Sequence, residues 1–150
     1  MYPESILKGS IDRWQAARRQ WKRCIIAEGI NPKPRGRGDI PRRARFVLNV
    51  VNAMIGAVDA DKVAVKVPPA FRFHDMHDDD PVALHSYLVS RLSGRGIAYV
   101  QASDYGQYYS YDFDPIALVR ENISGMLVAN GGFNLDRANA VLAEGKADAT

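Results

Sequence analysis

Lys66 stands inside an apolar, β-branched run, Lys62-Val-Ala-Val-Lys-Val-Pro-Pro69. An ammonium group in such a strand is costly to bury alone. It therefore either snorkels to water from the strand end or meets a negatively charged group. Gly131 and Gly132 close a second apolar run, Gly125-Met-Leu-Val-Ala-Asn-Gly-Gly-Phe133, and a helical pattern of Leu135, Ala138, Val141 and Leu142 follows at once. A buried strand that turns on two glycines into a helix can hold a phosphate. The glycines let backbone N–H groups come close to an anion, and the helix N-terminus adds partial positive charge. The same turn also serves as a plain strand-to-helix connection, so the glycines alone leave both readings open.

Three other groups of residues could do chemistry. His74, His77 and Asp78–Asp80 form H-x2-H-D-D-D. A metal centre needs three or four converging ligands held in a defined geometry. Here no regular element holds the spacing, so the segment reads as a solvated acidic loop, with Asp80 capping a helix that Pro81 begins. No metal is expected. Tyr105, Tyr108, Tyr109, Tyr111 and Phe113 crowd one short stretch. They either line an apolar pocket or pack their own loop. His85 falls within a helical pattern and reads as a packing residue. No Walker motif, Ser-His-Asp spacing or zinc-finger cysteine pattern occurs.

The elements that must position these residues follow from periodicity. Residues 4–28 read as an amphipathic helix, and residues 29–41, with three prolines and three glycines, as a linker. Residues 42–58 form a second helix with Phe46, Val47, Val50, Val51, Met54 and Val58 on its apolar face, started by Asp39 or the Pro41 turn. Strands are expected at 63–67, 97–102 and 126–130, and helices at 81–93, 115–123 and 134–144. Short apolar strands alternating with helices at this period mean βα units on a parallel sheet. All three strands look apolar on both faces, as strands covered on both sides should.

With 150 residues, 47% of them hydrophobic and 25% charged, the chain suits one globular domain with a real core. No apolar run is long enough to span a membrane, and the N-terminus lacks the order of a secretory signal. Cys24 is the single cysteine, which excludes an internal disulfide and points to a reducing, cytoplasmic setting. The net charge of +3 hides an asymmetry: residues 1–45 carry 12 Lys/Arg against 4 Asp/Glu, and the remainder carry 8 against 13. A basic first third is either a solvated helix or an arm for nucleic acid or a partner.

Taken in order, Arg43-Ala-Arg-Phe-Val-Leu-Asn-Val-Val-Asn-Ala-Met, Lys62-Val-Ala-Val-Lys-Val, Arg95-Gly-Ile-Ala-Tyr-Val, Val128-Ala-Asn-Gly-Gly-Phe and Glu144-Gly-Lys-Ala-Asp-Ala resemble the Old Yellow Enzyme family. These are FMN-dependent NAD(P)H oxidoreductases on a (β/α)8 barrel that reduce activated alkenes. The resemblance runs from about Gly38 to Ala149. It implies an α/β fold, a partial TIM (β/α)8 barrel of about three βα units preceded by helices. The strands would be the fifth, sixth and seventh of the barrel. It also implies that Gly131 and Gly132 hold the FMN phosphate and that Lys66 lies at the flavin ring edge, where the family usually has arginine. Residues 38–150 would be the partial FMN-binding barrel, and residues 1–37 a basic helix and linker that do not resemble the family.

The departures shape the expectation. The segment that carries the family's paired donors for the substrate oxygen and its proton-donating tyrosine has no counterpart in residues 1–41, so no catalytic acid can be named. The helix start reads Gly38-Asp-Ile-Pro-Arg-Arg-Ala-Arg-Phe46, where the family commonly reads Gly-Ser-Ile-Glu-Asn-Arg-Ala-Arg-Phe. Ala147-Asp-Ala-Thr150 stands where an eighth strand should begin. The resemblance thus implies an incomplete or degenerate member, open to pairing with a second copy or a complementing chain. The alternative is a non-catalytic interaction or nucleic-acid-binding protein that uses its basic first helix.

Overall fold

The computed structural model describes residues 39–71, 78–106, 108 and 110–150. The expected first helix, Cys24, His74, His77 and Tyr109 lie outside them, and with them the interaction-protein alternative.

Helix α1 spans Ile40–Val58, two residues earlier than the periodicity indicated. Asp39 sets that start: its carboxylate accepts the Arg42 amide at 3.0 Å, and Pro41 sits in the first turn, where its missing N–H costs nothing. Ala44, Leu48 and Val51 are its buried stripe. A 3-10 turn, Ala60–Lys62, leads into strand β1, Ala64–Val67. Helix α2, Pro81–Ser93, has the predicted bounds. Asp80 caps it through the Ala83 amide at 3.0 Å, and Leu88, Val89 and Leu92 point into the core. Strand β2 is Tyr99–Ser103 and helix α3 Pro115–Asn122, capped by Asp114. Strand β3 is Leu127–Asn130 and helix α4 Leu135–Ala143, capped by Asn134.

The three strands form a parallel sheet in the order β1-β2-β3. Ala64 lies opposite Tyr99 and Lys66 opposite Gln101; Gln101 in turn lies opposite Val128, and Ser103 opposite Asn130. Beyond β3, Ala149 makes a parallel bridge to Val128, with the Ala129 amide donating to the Ala149 carbonyl at 2.8 Å. The chain end thus lies in the position of a fourth strand.

One sheet face is closed. Val65, Val67, Val100, Ala102, Leu127 and Ala129 are buried together with residues of α1, α2 and α3. The other face corrects the expectation of two-sided burial: Ala64, Lys66, Tyr99 and Asn130 are exposed, and Gln101 and Val128 half-buried. The reason is geometric. Side chains alternate along a strand, and the helices lie on one side only, so every second residue faces the open side. Helix α4 departs from expectation as well. It buries no residue, Leu135 is 76% exposed, and only Val141 packs against the core.

Candidate functional site

The C-terminal ends of the three strands gather the candidate residues. Lys66, in β1, projects from the open sheet face, and its Nζ donates to the Oδ1 of Asn130 at 3.4 Å. It is exposed, so the cost of burying its charge does not arise. The contact brings it across the sheet to the residue immediately before Gly131. The three candidates therefore share one end of one sheet.

Gly131 and Gly132 form the turn from β3 to α4 with φ of 116° and 58°, a region that favours glycine. At Gly131 there is a second reason. A Cβ placed there would lie 1.9 Å from the Asp104 carbonyl oxygen, so β3 and the end of β2 approach too closely for any side chain. Gly131 is therefore demanded by packing, whatever the turn binds.

Around this turn lies a polar cluster that sequence reading missed. Asp104 directly follows β2, and its side chain is 9% exposed. Its Oδ1 accepts the Tyr111 hydroxyl and the Gly106 amide, the latter at 2.8 Å, and its Oδ2 pairs with Arg137. The Arg137 Nη1 donates to the carbonyls of Gly131 at 3.1 Å and Gly132 at 3.4 Å, and the guanidinium sits 4.5 Å over the Phe133 ring. Burial acts to raise the Asp104 carboxyl, but the bonds from Tyr111, Gly106 and Arg137 outweigh it and hold the group below the ordinary aspartate value. The Tyr111 phenol is pushed well above the ordinary tyrosine range by burial and by the Asp104 carboxylate it bonds. It keeps its proton and is engaged in structure. A faint signal was available in the sequence: a carboxylate at the C-terminal end of one strand and an arginine in the first turn after the Gly-Gly of the next.

Of the two readings of the aromatic segment, packing is the one the described residues carry. Tyr111 packs with Phe113 and Tyr105 with Phe71, each at 5.4 Å between ring centres, while Tyr108 is exposed. Pro68, Phe71, Asp78, His85, Tyr111 and Phe113 border a cavity of about 40 Å³, room for little more than a water. Burial lowers the His85 imidazole from its ordinary value, against the pull of the Pro81 carbonyl and Asp78. Asp78 pairs with Arg43 of α1. Among the described residues no group of three or more His, Cys, Asp or Glu could hold a metal ion.

Ser103 is the last residue of β2, and its Oγ is fully buried without a hydrogen-bond partner among the described residues. It lies opposite Asn130, beside the glycine turn. A cation on the open sheet face and a glycine turn thus lie at one end of the sheet, and a buried, unpaired hydroxyl stands on the strand between them.

The fold and sequence have clear relatives. No family-level sequence model matches. Over 112 residues the chain is 32% identical to a probable flavin mononucleotide-dependent alkene reductase of Leishmania infantum, covering 75% of this chain and 30% of that protein. It is also 32% identical, over 125 residues, to 12-oxophytodienoate reductase 1 of Oryza sativa subsp. japonica, covering 74% of this chain and 30% of that one. Morphinone reductase superposes with a TM-score of 0.71 at 31% identity, over 83% of this chain and 34% of its own. Over the part it shares with them, the chain belongs to the Old Yellow Enzyme family. The old yellow enzyme of Trypanosoma cruzi superposes with a TM-score of 0.70 at 27% identity, over 81% of this chain and 33% of its own. The sheet and its helices are thus consecutive βα units of an Old Yellow Enzyme TIM barrel, and the chain spans about a third of the length of these relatives. Among the described residues no helix is long and apolar enough to cross a membrane.

Proposed function

We propose that this chain contributes the phosphate end of an FMN site to an NAD(P)H-dependent oxidoreductase of the ene-reductase type. The observation that carries the reading is the convergence of Lys66, Asn130 and the Gly131–Gly132 turn at the C-terminal ends of β1 and β3, the two strands that flank β2 in the parallel sheet. In (β/α)8 enzymes this end bears the active site, and the loops after the seventh and eighth strands commonly hold phosphate. The family relation supports the cofactor: one relative is a flavin mononucleotide-dependent alkene reductase, and morphinone reductase has been captured with tetrahydroNAD.

The residues present fit the group. The turn has no side chain that could block a phosphate, and the start of α4 adds partial positive charge. Bound flavin would supply hydride acceptance and donation. Lys66 would place a fixed positive charge where reduced flavin carries negative charge, and lysine keeps the charge that the family's usual arginine provides while losing its planar fork. An activated alkene is the proposed substrate class. Tyr111 is committed to Asp104, so no catalytic acid is assigned within this chain. Residues 38–150 are read as the barrel portion and residues 1–37 as a separate basic segment.

The test is titration of the purified chain with FMN, followed by flavin fluorescence and thermal shift. Saturable binding, weakened about tenfold by Lys66→Ala through loss of one charge-assisted contact, is the expected result. Unchanged fluorescence and melting temperature at high FMN would remove the cofactor from the reading.

A further inference from the structure

We propose that Arg137, anchored by Asp104, is a positioning residue that aims the backbone amides of Gly132 and Phe133 outward from the glycine turn; its bearing on phosphate rests on reading that turn as the FMN phosphate site. The argument starts from the planarity of the peptide bond. The described chain has no cis peptide, so each carbonyl points opposite to the N–H of the same peptide unit. Arg137 draws the Gly131 carbonyl toward itself at 3.1 Å and the Gly132 carbonyl at 3.4 Å. The Gly132 N–H shares a plane with the first carbonyl, and the Phe133 N–H with the second. Both amides must therefore point away from the guanidinium. Two successive N–H groups held this way make an anion-binding concavity.

The guanidinium can impose this direction because it is itself held on two other sides. Its Nη2 pairs with Asp104, and its plane lies over Phe133, 4.5 Å from the ring centre. Asp104 is fixed in turn by Tyr111 and the Gly106 amide. A planar fork suits this task, since it reaches two carbonyls and a carboxylate at once without rotating. Lysine at position 137 would keep the charge but could not hold the carbonyls and Asp104 in one rigid arrangement. Removing Arg137 leaves Asp104 with its Tyr111 and Gly106 bonds, so the substitution should spare the fold.

The experiment compares wild type, Arg137→Ala and Arg137→Lys at a temperature where all three are folded. Flavin affinities are measured with FMN and with riboflavin, which has the same ring and no phosphate. Backbone order parameters at Gly132 and Phe133 are measured by NMR relaxation without ligand. The expected result is a loss of about tenfold in FMN affinity for Arg137→Ala, with riboflavin affinity unchanged, partial recovery in Arg137→Lys, and lower order parameters at the two amides. Unchanged FMN affinity overturns the proposal, and so does an equal loss for both flavins, because the arginine would then act on the whole fold. If wild type binds neither flavin, the FMN reading fails, and the relaxation arm alone decides: lower order parameters confined to this turn support the positioning role, and unchanged ones overturn it.

Discussion

Strand β3 is held at each end by an aspartate–arginine pair of the same construction, and the two pairs do different things. At its entry, Arg120 of α3 donates to the carbonyls of Ile123 and Gly125 at 2.7 and 2.9 Å and pairs with Asp148, which also accepts the Leu127 amide at 2.7 Å. At its exit, Arg137 of α4 donates to the carbonyls of Gly131 and Gly132 and pairs with Asp104, which also accepts the Gly106 amide. Each arginine gathers two carbonyls, and each aspartate ties a neighbouring segment to the strand. The environments differ. Asp148 is about half exposed, whereas Asp104 is buried and carries Tyr111 besides. The entry pair joins the strand to the chain end running beside it. The exit pair shapes a turn whose amides are left for something else. In a (β/α)8 barrel this is the division between an end that serves stability and an end that serves chemistry.

The comparison can be broken most sharply at Gly131. Gly131→Ala puts a methyl into the Asp104 carbonyl and strains a positive φ. A loss of about 3 kcal/mol in chemical denaturation is expected; a loss below about 1 kcal/mol would mean that the two strand ends are not as close as described. Next comes Asp104→Ala, which leaves the Tyr111 hydroxyl and Arg137 without their acceptor. Arg137 is 41% exposed and recovers part of its solvation, so about 2 kcal/mol is expected. The matching change at the entry end, Arg120→Ala, frees carbonyls that water can reach and should cost about 1 kcal/mol. If it costs more than Asp104→Ala, the ranking of the two ends is reversed.

Acid offers a gentler discrimination. Both carboxyls sit below the ordinary aspartate value in the folded chain: Asp148 through the Leu127 amide and Arg120, outweighing its desolvation, and Asp104 as described above. A lowered folded value means that the stabilisation is complete above the unfolded carboxyl value of about 4 and is lost as pH falls through the folded value. Melting temperature should therefore fall on acidification below about pH 4. Asp104→Asn should flatten that fall more than Asp148→Asn, because the latter group is the more exposed. Smallest of all is Lys66→Ala. The side chain is exposed, with one long contact to Asn130, so stability should change by less than about 0.5 kcal/mol while flavin affinity drops.

Much of this architecture was legible in the sequence. The bounds of α2 followed from Asp80, Pro81 and Gly94, each a local signal with a local cause. The strands followed from β-branched runs, and the glycine turn from its two adjacent residues. What was not legible depended on partners distant in sequence. Val65 and Lys66 belong to the same apolar run, yet one is buried and the other open, because which face meets the helices is decided by packing. Leu135 and Leu142 fit a helical stripe, yet both are exposed. Asp104 and Arg137 meet across 33 residues, and neither type nor spacing announces such a pair. The candidate glycines were thus visible from sequence, while the groups that shape their turn were not.

The order β1-β2-β3 also bears on how the chain acquires its structure. Each strand pairs with the next one along the chain, and the last residues, Ala147 to Ala149, come to rest beside β3 in the same way. Every new unit needs only its predecessor as a template, so loop closure never spans more than one helix. Such a sheet can grow stepwise as the polypeptide leaves the ribosome, and its growing edge always presents the same unpaired row of backbone groups to whatever strand arrives next.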